Sequence, residues 1–234
     1  MRDTLVLFDI GSTLLRINFK RFYKEAAELS KDKDSEGFEE AYINSNLPYR
    51  LATAEITTRE FLEELRKIIN PKRDVTDEEL ITVVGRQLEE PIGEMVELKR
   101  KIYEAGYSVG VFSNISKLNF SILSDRCPQI FETFDDASPR IYSYRIGSLK
   151  PEPKGYREVK GYDNVIFIDD KESYLKTGIE QFGWKGILFT PYIDTSEAIR
   201  AVHSDRTIPD SKAFKIANSV EEVIEALREF GVKL

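Results

Sequence analysis

The stretch LVLFDIGSTLL, residues 5–15, decides how the rest of the chain is read. Leu5 to Phe8 form an unbroken apolar run that Asp9 ends and Gly11 breaks. A short run without polar alternation marks a strand buried on both faces of a parallel sheet, because helices cover both sides there. The same pattern returns in YSVGVFSN (107–114), NVIFIDD (164–170) and KGILFT (185–190). The first strand is expected to end at Asp9; the second leads into Ser113 and Asn114, the third into Asp169 and Asp170, and the fourth ends at Thr190. Helical stretches separate them. GEMVELKRKIYEAG, with Pro91 placed for a first-turn proline and Gly106 as its stop, precedes the second strand. KESYLKTGIEQFG, closed by Gly183, precedes the fourth. Strands alternating with helices predict an α/β fold with a doubly wound, Rossmann-like parallel sheet.

Residues 17–89 have a different texture, with helix signals and no convincing strand. Thr57 with Glu60, and Thr76 with Glu79, fit the capping box, in which hydroxyl and carboxylate satisfy free backbone N–H groups at a helix start. Phe61, Leu62, Leu65, Ile68 and Ile69 follow at helical spacing. The reading is a core of residues 1–16 and 90–234 interrupted by an all-helical insert, 17–89. The aromatics Phe19, Phe22, Tyr23, Phe38 and Tyr42 are read as the core of that insert. Near the C-terminus, Ser219 with Glu222 opens a last helix, whereas the stretch from Pro191 to Ala217 shows no clear period.

Composition narrows the function. In 234 residues, 34 basic against 41 acidic side chains leave a net charge of −7, with neither sign in a long block, which argues against nucleic acid as a partner. No run approaches the roughly 18 apolar residues of a membrane span, and the N-terminus lacks the features of a signal peptide, so a cytoplasmic protein with no membrane partner is expected. One cysteine, Cys127, permits no intrachain disulfide, and the one histidine, His203, stands among polar residues with no second imidazole to share a metal.

In open α/β sheets, reactive groups gather outside the carboxyl ends of the strands, so Asp9, Ser113, Asn114, Asp169 and Asp170 are expected to converge. Lys150, in GSLKPEPKGY, is stiffened by Pro151 and Pro153. Hard oxygen ligands without a competing thiol or imidazole suit Mg²⁺, and a lysine and a hydroxyl beside them point to phosphoryl chemistry on a small-molecule phosphate ester.

These residues resemble the haloacid dehalogenase-like (HAD) hydrolases, most of which are phosphatases working through an aspartyl-phosphate intermediate. FDIGSTL, VFSN, LKP and FIDD are similar to the family's four motifs in their order, and the helical insert lies where one class of these enzymes carries a cap domain. The resemblance implies that Asp9 is the nucleophile and that Asp9, the carbonyl of Gly11 and Asp170 hold Mg²⁺, with Asp169 beside them. It implies that Ser113 and Asn114 bind phosphoryl oxygens and that Lys150 neutralises both the nucleophile and the charge developing on the substrate.

The common family phosphatase carries a second Asp two residues after the nucleophile, as general acid and base; here that position is Gly11. A branch that includes sugar-1-phosphatase-like members has glycine there, and a leaving group of low pKa, such as an anomeric sugar phosphate, needs less protonation. Three readings follow: a Mg²⁺-dependent phosphatase of a small metabolite, possibly a sugar phosphate; a binding or regulatory protein that has lost most of its catalysis; and a 2-haloacid dehalogenase.

Overall fold

The computed structural model describes residues 4–132, 137–192 and 212–234. A six-stranded parallel sheet runs β5 (Arg140–Tyr142), β4 (Ser108–Ser113), β1 (Thr4–Phe8), β6 (Asn164–Asp169), β7 (Lys185–Phe189), β8 (Phe214–Ala217) from edge to edge. Alternation along β1 divides the core. Val6 and Phe8 join Met95, Leu98 and Leu227 on one face, while Leu5 and Leu7 join Phe112, Phe167 and Trp184 on the other. The first face is covered by α6 (Gly93–Glu104) and α11 (Val220–Glu229), and the second by α9 (Pro153–Tyr156) and α10 (Glu172–Phe182). Both faces being covered is why the strands read as continuous apolar runs. At Gly110 in β4 a Cβ would lie 2.8 Å from both Leu7 Cδ2 and the Pro139 carbonyl, so only glycine lets the strands approach as they do.

Two strands of this sheet escaped the sequence reading. β5 and β8 are three and four residues long and lie at the sheet edges, where one covered side suffices and no apolar run is needed. His203 lies outside the described residues, as does most of the stretch from Pro191 to Ala217.

Between β1 and β4 come α1 (Phe19–Leu29), α2 (Ser35–Asn44), α3 (Leu47–Ala52), α4 (Thr58–Ile69) and α5 (Asp77–Gly85). Both capping boxes form: the Thr57 and Thr76 hydroxyls accept from the N–H groups of Glu60 and Glu79, whose carboxylates accept in return. The third box forms by half, because the Glu222 carboxylate accepts from the Asn218 N–H at 2.7 Å, while Ser219 still caps α11. Phe22, Phe38, Phe61 and Leu65 are fully buried in the insert's own core.

The insert is not framed by helix alone. β2 (Leu15–Ile17) and β3 (Leu88–Pro91) pair antiparallel where the chain leaves the sheet and returns to it. Pro91 therefore ends a strand rather than opening a helix, and α6 starts two residues later behind Ile92. Proline is tolerated there because a two-stranded ribbon has an outer side that needs no N–H. The remaining elements are α7 (Lys117–Arg126) after β4 and the short α8 (Ser143–Ile146) after β5. No helix among the described residues is long and apolar enough to cross a membrane.

Candidate active site

The register of the sheet assembles the site. Phe8 is level with Val111 in β4 and with Ile168 in β6, so the next step along each strand brings Asp9, Phe112 and Asp169 into one row. Asp9 continues the β1 ladder, its N–H donating to the Ile168 carbonyl at 2.9 Å. Lys150 binds across that row. Its Nζ donates to the Phe112 carbonyl at 3.0 Å and to Asp169 Oδ2 at 2.5 Å, and lies 3.0 Å from Asp9 Oδ1. The last contact is an ion pair whose angles do not make a hydrogen bond, which leaves Asp9 Oδ1 buried without one. The rings of Phe112, Phe167 and Tyr174 stand 4.9 to 5.3 Å from the ammonium and line its channel.

Asn114 is spent on holding that lysine. Its Oδ1 accepts from the Lys150 N–H at 2.8 Å, while its Nδ2 donates to the Lys150 carbonyl at 3.1 Å and to the Tyr174 hydroxyl at 3.3 Å. Both of its amide protons are engaged in these bonds, while Asn114 also lines the crevice where the sequence reading expects a phosphoryl oxygen. The side chain of Lys150 is 0% exposed and lies beneath Asp9 rather than on the crevice wall. Asp169 is equally covered, its Oδ1 accepting from the Lys171 N–H at 2.9 Å.

Asp9, Gly11, Ser113, Asn114 and Asp170 face an open crevice of about 500 Å³ between the sheet's carboxyl edge and the helical insert. Carboxylate oxygens of Asp9, Asp169 and Asp170 lie within 4.8 Å of one another. Three buried carboxylates around one ammonium leave an excess of negative charge, and the acids respond. Burial, reinforced by Asp9, pushes Asp169 up to about 6 against the pull of Lys150. Burial and the charges of Asp169 and Asp9 hold Asp170 well above the carboxylate range. Lys150, whose burial alone would lower its pKa, is raised by Asp169 and Asp9 and stays charged.

A divalent cation fits this imbalance. Asp9 Oδ1 is a buried oxygen short of a donor, and Asp170 has no hydrogen-bond partner among the described residues. The turn after β1 closes onto the carbonyls of Ile10, which takes three N–H groups, and Leu15, leaving the Gly11 carbonyl outside those bonds. Oxygen donors alone, two of them charged, are what Mg²⁺ takes.

The left-handed residue in the turn after β1 is Ser12, at φ 55°, and Gly11 keeps a φ open to any side chain. What limits position 11 is Ile17, whose Cγ1 would stand 3.3 Å from an added Cβ. Sequence reasoning missed Lys171 and Tyr174 on the crevice wall and Ser143 behind it. Lys171 and Tyr174 open the helix that follows Asp170, so proximity to the third strand end was the available signal. Ser143 Oγ accepts from the Ile115 N–H at 2.9 Å and meets the Ala52 carbonyl of the insert at 2.8 Å, a contact across 91 positions that no local pattern announces.

No family model matches the chain. The structure is similar to BT-2542, a HAD family enzyme from Bacteroides thetaiotaomicron, with a TM-score of 0.69 and 21% identity over 86% of this chain and 100% of that one. That enzyme has been solved with magnesium and with magnesium and inorganic phosphate. A predicted HAD-like hydrolase from Porphyromonas gingivalis matches with a TM-score of 0.63 and 18% identity, over 88% of this chain and 100% of that one. The L-2-haloacid dehalogenase of Xanthobacter autotrophicus, solved with chloropropionic acid covalently bound, matches at 0.59 and 12% identity, over 97% and 99%. The chain has the haloacid dehalogenase-like fold.

Proposed function

We propose that the protein is a HAD-family, Mg²⁺-dependent phosphatase of a small phosphate ester, with Asp9 as its nucleophile. The observation that carries the reading is Asp9 itself, a carboxylate at the crevice floor braced by a fully buried lysine and flanked by a second acid, Asp170, that faces the same space. An Asp9 oxygen attacks phosphorus in line with the ester oxygen, which leaves with the bonding electrons, and water then hydrolyses the aspartyl phosphate. Lys150 offsets the charge of the carboxylate and fixes its direction, and Asn114 fixes Lys150. The Ser113 hydroxyl, at the end of β4, is placed to donate to a phosphoryl oxygen. Asp9, Asp170 and the Gly11 carbonyl would hold the ion, which supplies charge neutralisation between a carboxylate and a phosphate dianion. The helical insert, closing the crevice from above, acts as the cap. BT-2542, with magnesium and phosphate in its structures, supports the same chemistry.

A 2-haloacid dehalogenase is the second reading, favoured by the fold match to an enzyme that carries a covalent chloropropionate. A surplus of buried carboxylate has no use in a reaction that needs no metal, which weighs against it. The test is turnover of a panel of phosphate esters and of 2-chloropropionate, with Mg²⁺ and with chelator. Phosphate release that needs Mg²⁺ and disappears in Asp9→Asn, while its melting transition persists, is expected. Chloride release without metal would establish the dehalogenase, and no turnover of either kind would leave a binding protein.

A further inference from the structure

The roof of the crevice identifies what rides on the phosphate. From the insert it is made of Ile17, Phe19, Tyr23, Tyr42, Ile43, Leu51 and Phe61, and the core side adds Ile10 and Ile115. Phe19 is 48% exposed and Ile43 54% exposed, so two large apolar side chains stand at the mouth in contact with water. Phe19 stacks on Tyr23 with ring centroids 6.3 Å apart, and Tyr23 and Tyr42 are seated against Phe22 and Phe38, so the aromatic wall is held in place from behind. Polar groups on the insert's side are Lys20, Glu39, the hydroxyls of Tyr23 and Tyr42, and Gln87, one of whose two Nε2 protons goes to the Val84 carbonyl at 2.9 Å. A polyhydroxylated ligand closed against this roof would bury hydroxyls with few partners, at a cost for each. An aromatic ring would cover apolar surface instead.

The floor points the same way by a separate route. Gly11 supplies no proton, so the leaving oxygen must depart as an anion, and phenols, which ionise near pH 10, tolerate that far better than alkyl alcohols. We infer that the substrate is the phosphate monoester of an aromatic, phenol-type alcohol, whose ring lies against Phe19, Tyr23 and Tyr42. This rests on the phosphatase reading. The Asp9 oxygen bonds to phosphorus as the bond from phosphorus to the phenolic oxygen breaks, and the phenolate leaves with the electron pair and takes a proton from water. A second water then releases phosphate and restores the carboxylate, giving up its proton to solvent.

The experiment has two arms. In the first, kcat/KM is measured with Mg²⁺ for 1-naphthyl phosphate, phenyl phosphate, glucose 1-phosphate and acetyl phosphate. Acetyl phosphate, whose leaving group is a weak base and needs no protein proton, reports whether the phosphoryl chemistry exists at all. In the second, inhibition or ligand-induced thermal shift is measured for naphthylmethylphosphonate and for a sugar phosphonate, neither of which can be hydrolysed. The naphthyl ligand is expected to bind at least about tenfold more tightly than the sugar ligand, and the naphthyl ester to lead the esters in kcat/KM. Phe19→Ala and Ile43→Ser, both at exposed positions, are each expected to lower the ratio of naphthyl to acetyl phosphate turnover severalfold. Preference for glucose 1-phosphate, equal binding of the two phosphonates, or an unchanged ratio in both variants would overturn the inference while phosphatase activity stands. Loss of turnover on every ester would overturn the phosphatase reading, and the phosphonate comparison would still decide whether the roof selects a ring.

Discussion

Position 11 is where chemistry and packing separate most cleanly. A general acid or base is worth about 10²- to 10⁴-fold in rate, and none is supplied by glycine. Because Gly11 has a φ open to any residue, the obstacle to restoring an acid is Ile17 Cγ1, 3.3 Å from an added Cβ. Gly11→Asp combined with Ile17→Ala is therefore expected to raise turnover of a primary alkyl phosphate by about 10²-fold while changing an aryl phosphate much less. Rates across a series of leaving groups, with burst kinetics to identify the limiting step, check it. An equal gain on every ester would mean that the added carboxylate works as something other than a proton donor. The Asp9→Asn substitution tests a different bond: the amide keeps the shape but cannot be the nucleophile, so chemistry is lost without unfolding.

Elements are tied together by a few buried polar groups, and two of them can be read by substitution. Ser143, 1% exposed at the start of α8, joins the end of α3 in the insert to the loop after β4 that begins with Asn114. Ser143→Ala leaves the Ile115 N–H and the Ala52 carbonyl without this partner and is expected to cost about 1–3 kcal/mol, read as a lowered melting midpoint and faster proteolysis within residues 17–89. An unchanged midpoint would show that the insert is held by its apolar contacts alone. Lys99, buried in α6, donates to the carbonyls of Gln129 and Ile130 at the end of the turn after α7. Burial lowers its pKa from 10.5 to about 8. Below pH 8 both folded and unfolded chains carry the proton and the full cost of burying the charge is felt. Between about 8 and 10.5 the unfolded chain binds more protons, so stability rises with pH across that window. Lys99→Met should lack this rise, so subtracting its pH profile from that of wild type should isolate it; a difference profile that is flat from pH 8 to 10.5 would contradict it.

For the molecule as a whole, stability and metal binding are two views of one electrostatic imbalance. Asp169, raised to about 6, binds its proton more tightly in the folded chain than in the unfolded one, so metal-free protein loses stability as pH climbs from 3.8 through 6. A bound divalent cation reverses the trend, because its ligands must be ionised. At a hundredfold excess over Kd, Mg²⁺ is expected to add about 2.7 kcal/mol, a rise of roughly 5–10 °C in melting temperature for a chain of this size. Asp170→Asn should melt higher than wild type without metal, because one crowded like charge is gone, and should lose most of the Mg²⁺-induced rise. Calorimetry of both proteins with and without Mg²⁺ checks this. A variant that melts lower than wild type in chelator would show Asp170 to be a structural partner rather than an uncompensated charge.

Much of this was legible in one dimension, for reasons that are local. Continuous apolar runs at Leu5, Tyr107 and Val165 exist only where helices cover both faces, and the polar residue that ends each run must lie at the sheet's carboxyl edge. The Thr57 and Thr76 capping boxes are equally local, since donor and acceptor sit within one turn. What depended on tertiary structure was the pairing of groups far apart in the chain. Residue types alone do not show that the Asn114 amide bonds to the backbone of Lys150, 36 positions away, or that Asp9 and Asp169 cover the Lys150 ammonium. Phe19 read as insert core, yet it stands at the crevice mouth, because helical spacing marks an apolar face and does not say whether that face meets another helix or open space. Residue type fixes which bonds a side chain can make, whereas only the fold decides which of them are already taken.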